Sequence, residues 1–131
     1  MGKTLGGWSL LPPIRIAIAG VPRLLREITL TALSDQEDME VVAELPDRQD
    51  LPNLVRTLGV DIVIVSCSES EVTELGNQLI GEYRSTRMLA ITDGGRSGYL
   101  YELRPRKAEL GELTPGVLIR AISEAVRRST A

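Results

Sequence analysis

The sequence predicts an α/β domain, a five-stranded parallel doubly wound sheet of order 2-1-3-4-5 with a short fourth helix. Three observations carry this expectation. Apolar runs of strand length alternate with segments whose apolar residues recur at helical spacing. The links between them are short, as in sheets whose parallel strands are joined by helices lying on both faces. The chain has 131 residues, 43 % of them hydrophobic and 25 % charged, the size and composition of one globular domain that buries its own core.

Residues 1–13 (MGKTLGGWSLLPP) read as a flexible extension, broken by Gly2, Gly6, Gly7, Pro12 and Pro13. It lacks the continuous apolar core of a signal peptide. Gly2-Lys3-Thr4 lacks the upstream glycine and strand of a phosphate loop. Trp8, Leu10 and Leu11 are free to dock on the domain, which spans 14–131.

Ile14 to Ala19 is a buried strand ended by Gly20, and Pro22 suits the first turn of the helix that follows. Leu24, Leu25, Ile28, Ala32 and Leu33 hold helical spacing up to Ser34-Asp35. Met39 to Leu45 is a second strand, closed by Pro46-Asp47. Asp50 caps a short helix carrying Leu51, Leu54, Val55 and Leu58, and Gly59 suits its left-handed end. Val60 to Val65 is apolar on both faces and therefore central. Ser68-Glu69-Ser70-Glu71 is a capping box ahead of a helix with Val72, Leu75, Leu79, Ile80 and Tyr83 on one stripe. Met88 to Thr92 is the fourth strand, left through Asp93-Gly94-Gly95. Thr114 caps the last helix, Pro115 starts it, and Val117, Leu118, Ala121, Ile122, Ala125 and Val126 face inward.

Residues 93–113 admit two readings. Gly98 to Leu103 has strand propensity, but five linking residues cannot make a parallel crossover, so such a strand must be an antiparallel hairpin partner. Alternatively, Ser97 to Arg104 is a short helix ended by Pro105, and Lys107 to Leu110 is the fifth strand, at the sheet edge. The second keeps strand and helix alternating, and it is the expectation adopted.

Composition narrows the chemistry. The chain has no histidine, which removes histidine general bases and His-ligated metals. Its single cysteine, Cys67, makes neither an internal disulfide nor a Cys cluster. Four aromatic residues (Trp8, Tyr83, Tyr99, Tyr101) are too few for a base-stacking platform. No apolar stretch approaches the ~18–20 residues that span a bilayer, so a cytoplasmic domain without a membrane role is expected. The net charge of −3 is uneven: residues 34–82 carry twelve acids against Arg48 and Arg56, while residues 83–131 carry nine bases against five acids. Such asymmetry steers association with a charged partner or a second copy, and the acidic middle disfavours nucleic acid.

Ligands of doubly wound sheets sit at the carboxyl ends of the strands, where strand order reverses. That rim is Ala19-Gly20-Val21, Ser66-Cys67-Ser68, Thr92-Asp93-Gly94-Gly95 and Leu110-Gly111-Glu112.

Over roughly residues 14–128 the order of these pieces resembles the receiver domain of two-component response regulators, a flavodoxin-like fold. The matching pieces are Ile14-Arg15-Ile16-Ala17-Ile18 leading to Val21-Pro22 and Arg26-Glu27, Met39-Glu40-Val41-Val42-Ala43-Glu44, and Val60-Asp61-Ile62-Val63-Ile64-Val65. Met88-Leu89-Ala90-Ile91-Thr92 follows, then Leu113-Thr114-Pro115 with Leu118-Ile119-Arg120-Ala121-Ile122. The resemblance implies an acidic pair after the first strand, a phosphoacceptor aspartate after the third, a threonine or serine after the fourth and a lysine after the fifth. Here those positions fall on Ala19-Gly20, Ser66, Thr92 and Gly111 or Glu112. (The hairpin reading shifts the last to Glu102 or Arg104.) Only Thr92 matches. A hard cation needs carboxylate oxygens, so no metal or other cofactor is expected, and a serine hydroxyl does not replace the acceptor carboxylate. The resemblance is thus to a pseudo-receiver, a non-catalytic regulatory or scaffolding module that binds another protein or itself as a homodimer. The surface implied is the last two helices and the fifth strand, with Tyr99, Tyr101, Arg104, Arg106 and Lys107 as candidate partner contacts.

Two other readings stay open. Gly94-Gly95-Arg96, ahead of the expected helix, offers backbone amides and a guanidinium to a small anionic ligand or nucleotide, with Gly20, Ser66 and Thr92 opposite. Ser66-Cys67-Ser68 holds nucleophile types, but no base is evident to activate them.

Overall fold

The computed structural model describes residues 12–49, 51–82, 86–101 and 107–130. The elements in chain order are β1 (Ile14–Ala19), α1 (Arg23–Ser34), β2 (Met39–Leu45), α2 (Leu51–Leu58), β3 (Ile62–Ser66), α3 (Val72–Glu82), β4 (Arg87–Thr92), β5 (Ser97–Tyr101), β6 (Lys107–Glu109) and α4 (Pro115–Thr130). Single 3-10 turns, Glu69–Glu71 and Asp93–Gly95, precede α3 and β5. The sheet order is β2-β1-β3-β4-β5-β6. Its first five strands have the 2-1-3-4-5 order of a flavodoxin-like α/β fold, as expected.

The strands β2, β1, β3 and β4 are parallel, and their side chains divide the core in two by simple alternation. Ile14, Ile16, Ile18, Ile62, Ile64, Leu89 and Ile91 point to the face covered by Leu33 of α1 and by Leu118, Ile122 and Val126 of α4. Ala17, Ala19, Val63, Val65, Met88 and Ala90 point to the other, covered by Leu51 and Val55 of α2 and by Val72 and Leu79 of α3. Both faces are buried, which is why the runs are continuously apolar rather than alternating.

The expected caps form. The Glu71 carboxylate accepts the Ser68 backbone N–H at 2.9 Å. The Thr114 hydroxyl accepts the Val117 N–H at 3.2 Å. Gly59 follows α2 at φ +64°, where the absent Cβ removes the left-handed penalty. Arg15 completes that helix end, its guanidinium donating to the Leu58 carbonyl at 2.9 Å. Asp50, the expected cap of α2, lies outside the described residues.

The expectation for residues 97–104 is corrected. Ser97–Tyr101 is not a fourth helix but a strand, β5, antiparallel to β4 with Ala90 opposite Tyr99. Lys107–Glu109, the expected fifth strand, is at the sheet edge, but as a sixth strand antiparallel to β5. The sheet is therefore mixed rather than wholly parallel. Asp93, Gly94 and Gly95 all have positive φ (52°, 64° and 99°), a reversal that a single 3-10 turn completes. Beyond it the residues alternate at strand period. Leu100 joins the α1–α4 core, while Tyr99 and Tyr101 join the α2–α3 core. Gly98 packs closely on Leu113, since a Cβ there would lie 3.0 Å from that side chain. A helix would give up both the alternation and this contact.

Candidate functional site

The carboxyl ends of β2, β1, β3 and β4 lie side by side, because Leu45 pairs with Ala19, Ala19 with Val65, and Ser66 with Ile91. The rim therefore brings together Ala19, Gly20, Ser66 and Thr92. Ala19 is fully buried, Gly20 and Ser66 are half-buried and Thr92 is buried. Because β6 runs antiparallel to β5, it points the same way as β4 and delivers Gly111 and Glu112, both exposed, to this end of the sheet. Thr92 is turned to its own hairpin, its hydroxyl donating to the Ser97 carbonyl at 3.4 Å.

Arg48 also reaches this rim, although no sequence motif marks it. Arg48, in the loop after β2, crosses over Gly20, and a Cβ on that glycine would sit 3.2 Å from the Arg48 Cγ. Gly20 also has φ +66°, so both space and backbone favour glycine. The Arg48 guanidinium reaches Glu71, with Nη2 3.6 Å from Oε2. Its Nη1 is buried with no hydrogen-bond partner among the described residues. Glu71 is held from its other side by the Ser68 N–H at 2.9 Å and the Ser68 hydroxyl at 3.1 Å. These two hydrogen bonds, followed by the attraction of Arg48, hold its carboxyl below the usual carboxylate range.

Cys67 lies within the field of this pair. Burial pushes its thiol up, Arg48 opposes that, and Glu71 reinforces it. A half-buried thiol raised by burial is a poor nucleophile at neutral pH. The Ser68 hydroxyl is committed to Glu71 and Ser70. Among the described residues, Arg48 and Glu71 thus form an ion pair at this rim. Among the described residues no three His, Cys, Asp or Glu side chains come together as a metal-binding group.

The other candidates separate. Gly95 lies under α1, where a Cβ would sit 3.0 Å from Leu25, so packing accounts for this glycine. Gly94 and Arg96 are exposed in the turn, and β5 follows them in place of the expected helix. Tyr99 and Tyr101, expected as partner contacts, are each 3 % exposed and are core residues. The Tyr99 hydroxyl donates to Glu69, and the Tyr101 hydroxyl to Asn77 of α3. The Tyr101 ring lies flat over Gly76, where a Cβ would meet it at 2.5 Å. Residues two apart on a strand share a face, whereas the helix expectation separated them. Arg104 and Arg106 lie outside the described residues, and Lys107 opens β6.

Comparison with protein-family models and with curated proteins found no match for this chain.

Proposed function

We propose that the chain is a non-catalytic regulatory or scaffolding module with a receiver-like fold and no phosphorylation switch. The observation that carries this reading is the occupancy of the rim. Ala19, Gly20 and Ser66 stand where a metal-binding acidic pair and a phosphoacceptor would be needed, and the Arg48–Glu71 pair lies across Gly20. A guanidinium is permanently charged, so a divalent cation brought beside it meets repulsion in place of the oxygen ligands it requires. Output then comes from the surface, toward another protein or a second copy. With Tyr99 and Tyr101 in the core, the surface proposed for the partner is the exposed side of α4 (Gly116, Arg120, Glu124), which lines an open groove with Asp35 and Gln36 beyond the end of α1.

The test is incubation with acetyl phosphate and magnesium, followed by intact mass. The expected result is an unchanged mass, and gain of one phosphoryl group on the native fold overturns the reading. Arg120→Glu then weakens retention of the partner or lowers the solution mass of the dimer, with the melting temperature unchanged.

A second reading, a domain that binds a small anion or nucleotide, is favoured by the buried Arg48 Nη1 that lacks a partner among the described residues. A rise in melting temperature with a nucleotide or inorganic phosphate, abolished by Arg48→Met, selects it over the first.

A further inference from the structure

At the end of the sheet opposite the rim, an open groove of about 630 Å³ runs between the last turns of α1 and the outer edge of β2. Its walls are Leu30, Leu33, Met39 and Val41, and Glu37 and Glu40 stand on its border. Leu33 and Met39 are buried, whereas Leu30 and Val41 remain half-buried and present apolar surface to the opening. β2 is the last strand on this side of the sheet, so its outer edge carries main-chain groups unpaired among the described residues. A groove of this size, apolar with a few polar groups at its border, has the character of a binding surface.

The chain itself enters at this groove. Pro13 lines it, and the next residue, Ile14, is fixed by its N–H donating to the Asp38 carbonyl at 2.8 Å. Immediately before Pro13 come Trp8, Leu10 and Leu11, the only large apolar cluster in the first thirteen residues. Trp8 stands five positions before Pro13, a reach of up to ~17 Å at ~3.3–3.6 Å per residue. The segment 1–11 has Lys3 and no acid, opposite in charge to Glu37 on the border, where Glu40 already lies 3.9 Å from the Arg15 guanidinium. A tether this short holds the segment at an effective concentration of order millimolar, so modest contacts suffice.

We propose that the groove between α1 and β2 is the docking site of this chain's own Trp8–Leu11 segment, which covers the exposed edge of the sheet. The inference is independent of the rim, and a second copy or another protein is its alternative occupant.

Trp8 is the only tryptophan, so its fluorescence in the full chain reports the segment directly. The expected result is emission shifted to the blue and acrylamide quenching severalfold weaker than in the urea-unfolded chain, at every protein concentration. Val41→Lys should restore quenching to the unfolded value with the circular dichroism native. Should that variant not fold, Glu37→Lys with Glu40→Lys, both on the border, gives the same readout by charge reversal. Glu74→Lys, on α3 across the sheet, should leave the quenching unchanged. Full quenching in the native wild type overturns the proposal, as does shielding that persists in every folded groove variant. Shielding that grows with concentration together with a doubled solution mass also overturns it and assigns the groove to a second copy.

Discussion

At the scale of single residues, the most consequential side chain is Arg48, and little in its own neighbourhood announces it. Gly20 is legible as the glycine that ends a strand, and Ser68-x-x-Glu71 as a capping box. That an arginine from a third loop joins them is a long-range fact, created only when β2 pairs with β1. The signal available is Arg48, one of two bases in the acidic stretch 34–82, in the turn after a rim-directed strand. The grouping predicts opposite effects on one thiol. Arg48→Met should raise the pKa of Cys67 further, and Glu71→Gln should lower it, both read as the midpoint of the pH profile for reaction with a disulfide reagent. Unmoved midpoints would remove Cys67 from the group. Gly76→Ala tests the other close approach. A methyl group 2.5 Å from the Tyr101 ring must displace a buried aromatic side chain, at a cost of ~1–3 kcal/mol, read as a lower urea midpoint at constant slope.

At the scale of elements, the sequence was clear where a pattern belongs to one element and ambiguous where it belongs to two. The runs Ile14–Ala19 and Met88–Thr92 can only be buried strands, and Thr114-Pro115 can only open a helix. Gly98-Tyr99-Leu100-Tyr101 fits either period over its length, and the contacts that decide it, Gly98 with Leu113 and Tyr101 with Gly76, come from distant segments. The strand assignment has a consequence in alkali. Donation to Glu69, then burial, pushes the Tyr99 hydroxyl up from 10 to about 12. The unfolded chain loses this proton near pH 10 while the folded chain keeps it to about 12, so between those values the unfolded state binds fewer protons and stability falls as pH rises. Below pH 10 the contribution is complete. Urea unfolding from pH 9 to 12 should show this decline, and Tyr99→Phe should flatten it.

At the scale of the whole molecule, what was most legible is what repetition encodes. Alternation of strand and helix specified the class, the order and the two-sided core, while the direction of the last two strands depended on one turn. Ile64 lies at the centre of the central strand and is fully buried. Ile64→Ala should cost ~2–5 kcal/mol, and far- and near-ultraviolet signals should move together, because both core layers share one sheet. The Arg48–Glu71 pair acts at this scale too. Melting curves recorded with EDTA or with millimolar magnesium should superimpose, and a shift with magnesium would reveal a cation site that the rim's side chains do not provide. The positive charge over Gly20 is covalently attached and so has no dissociation constant. No swing in the supply of free ions can strip it away, and acid that protonates its carboxylate counterpart loosens its hold.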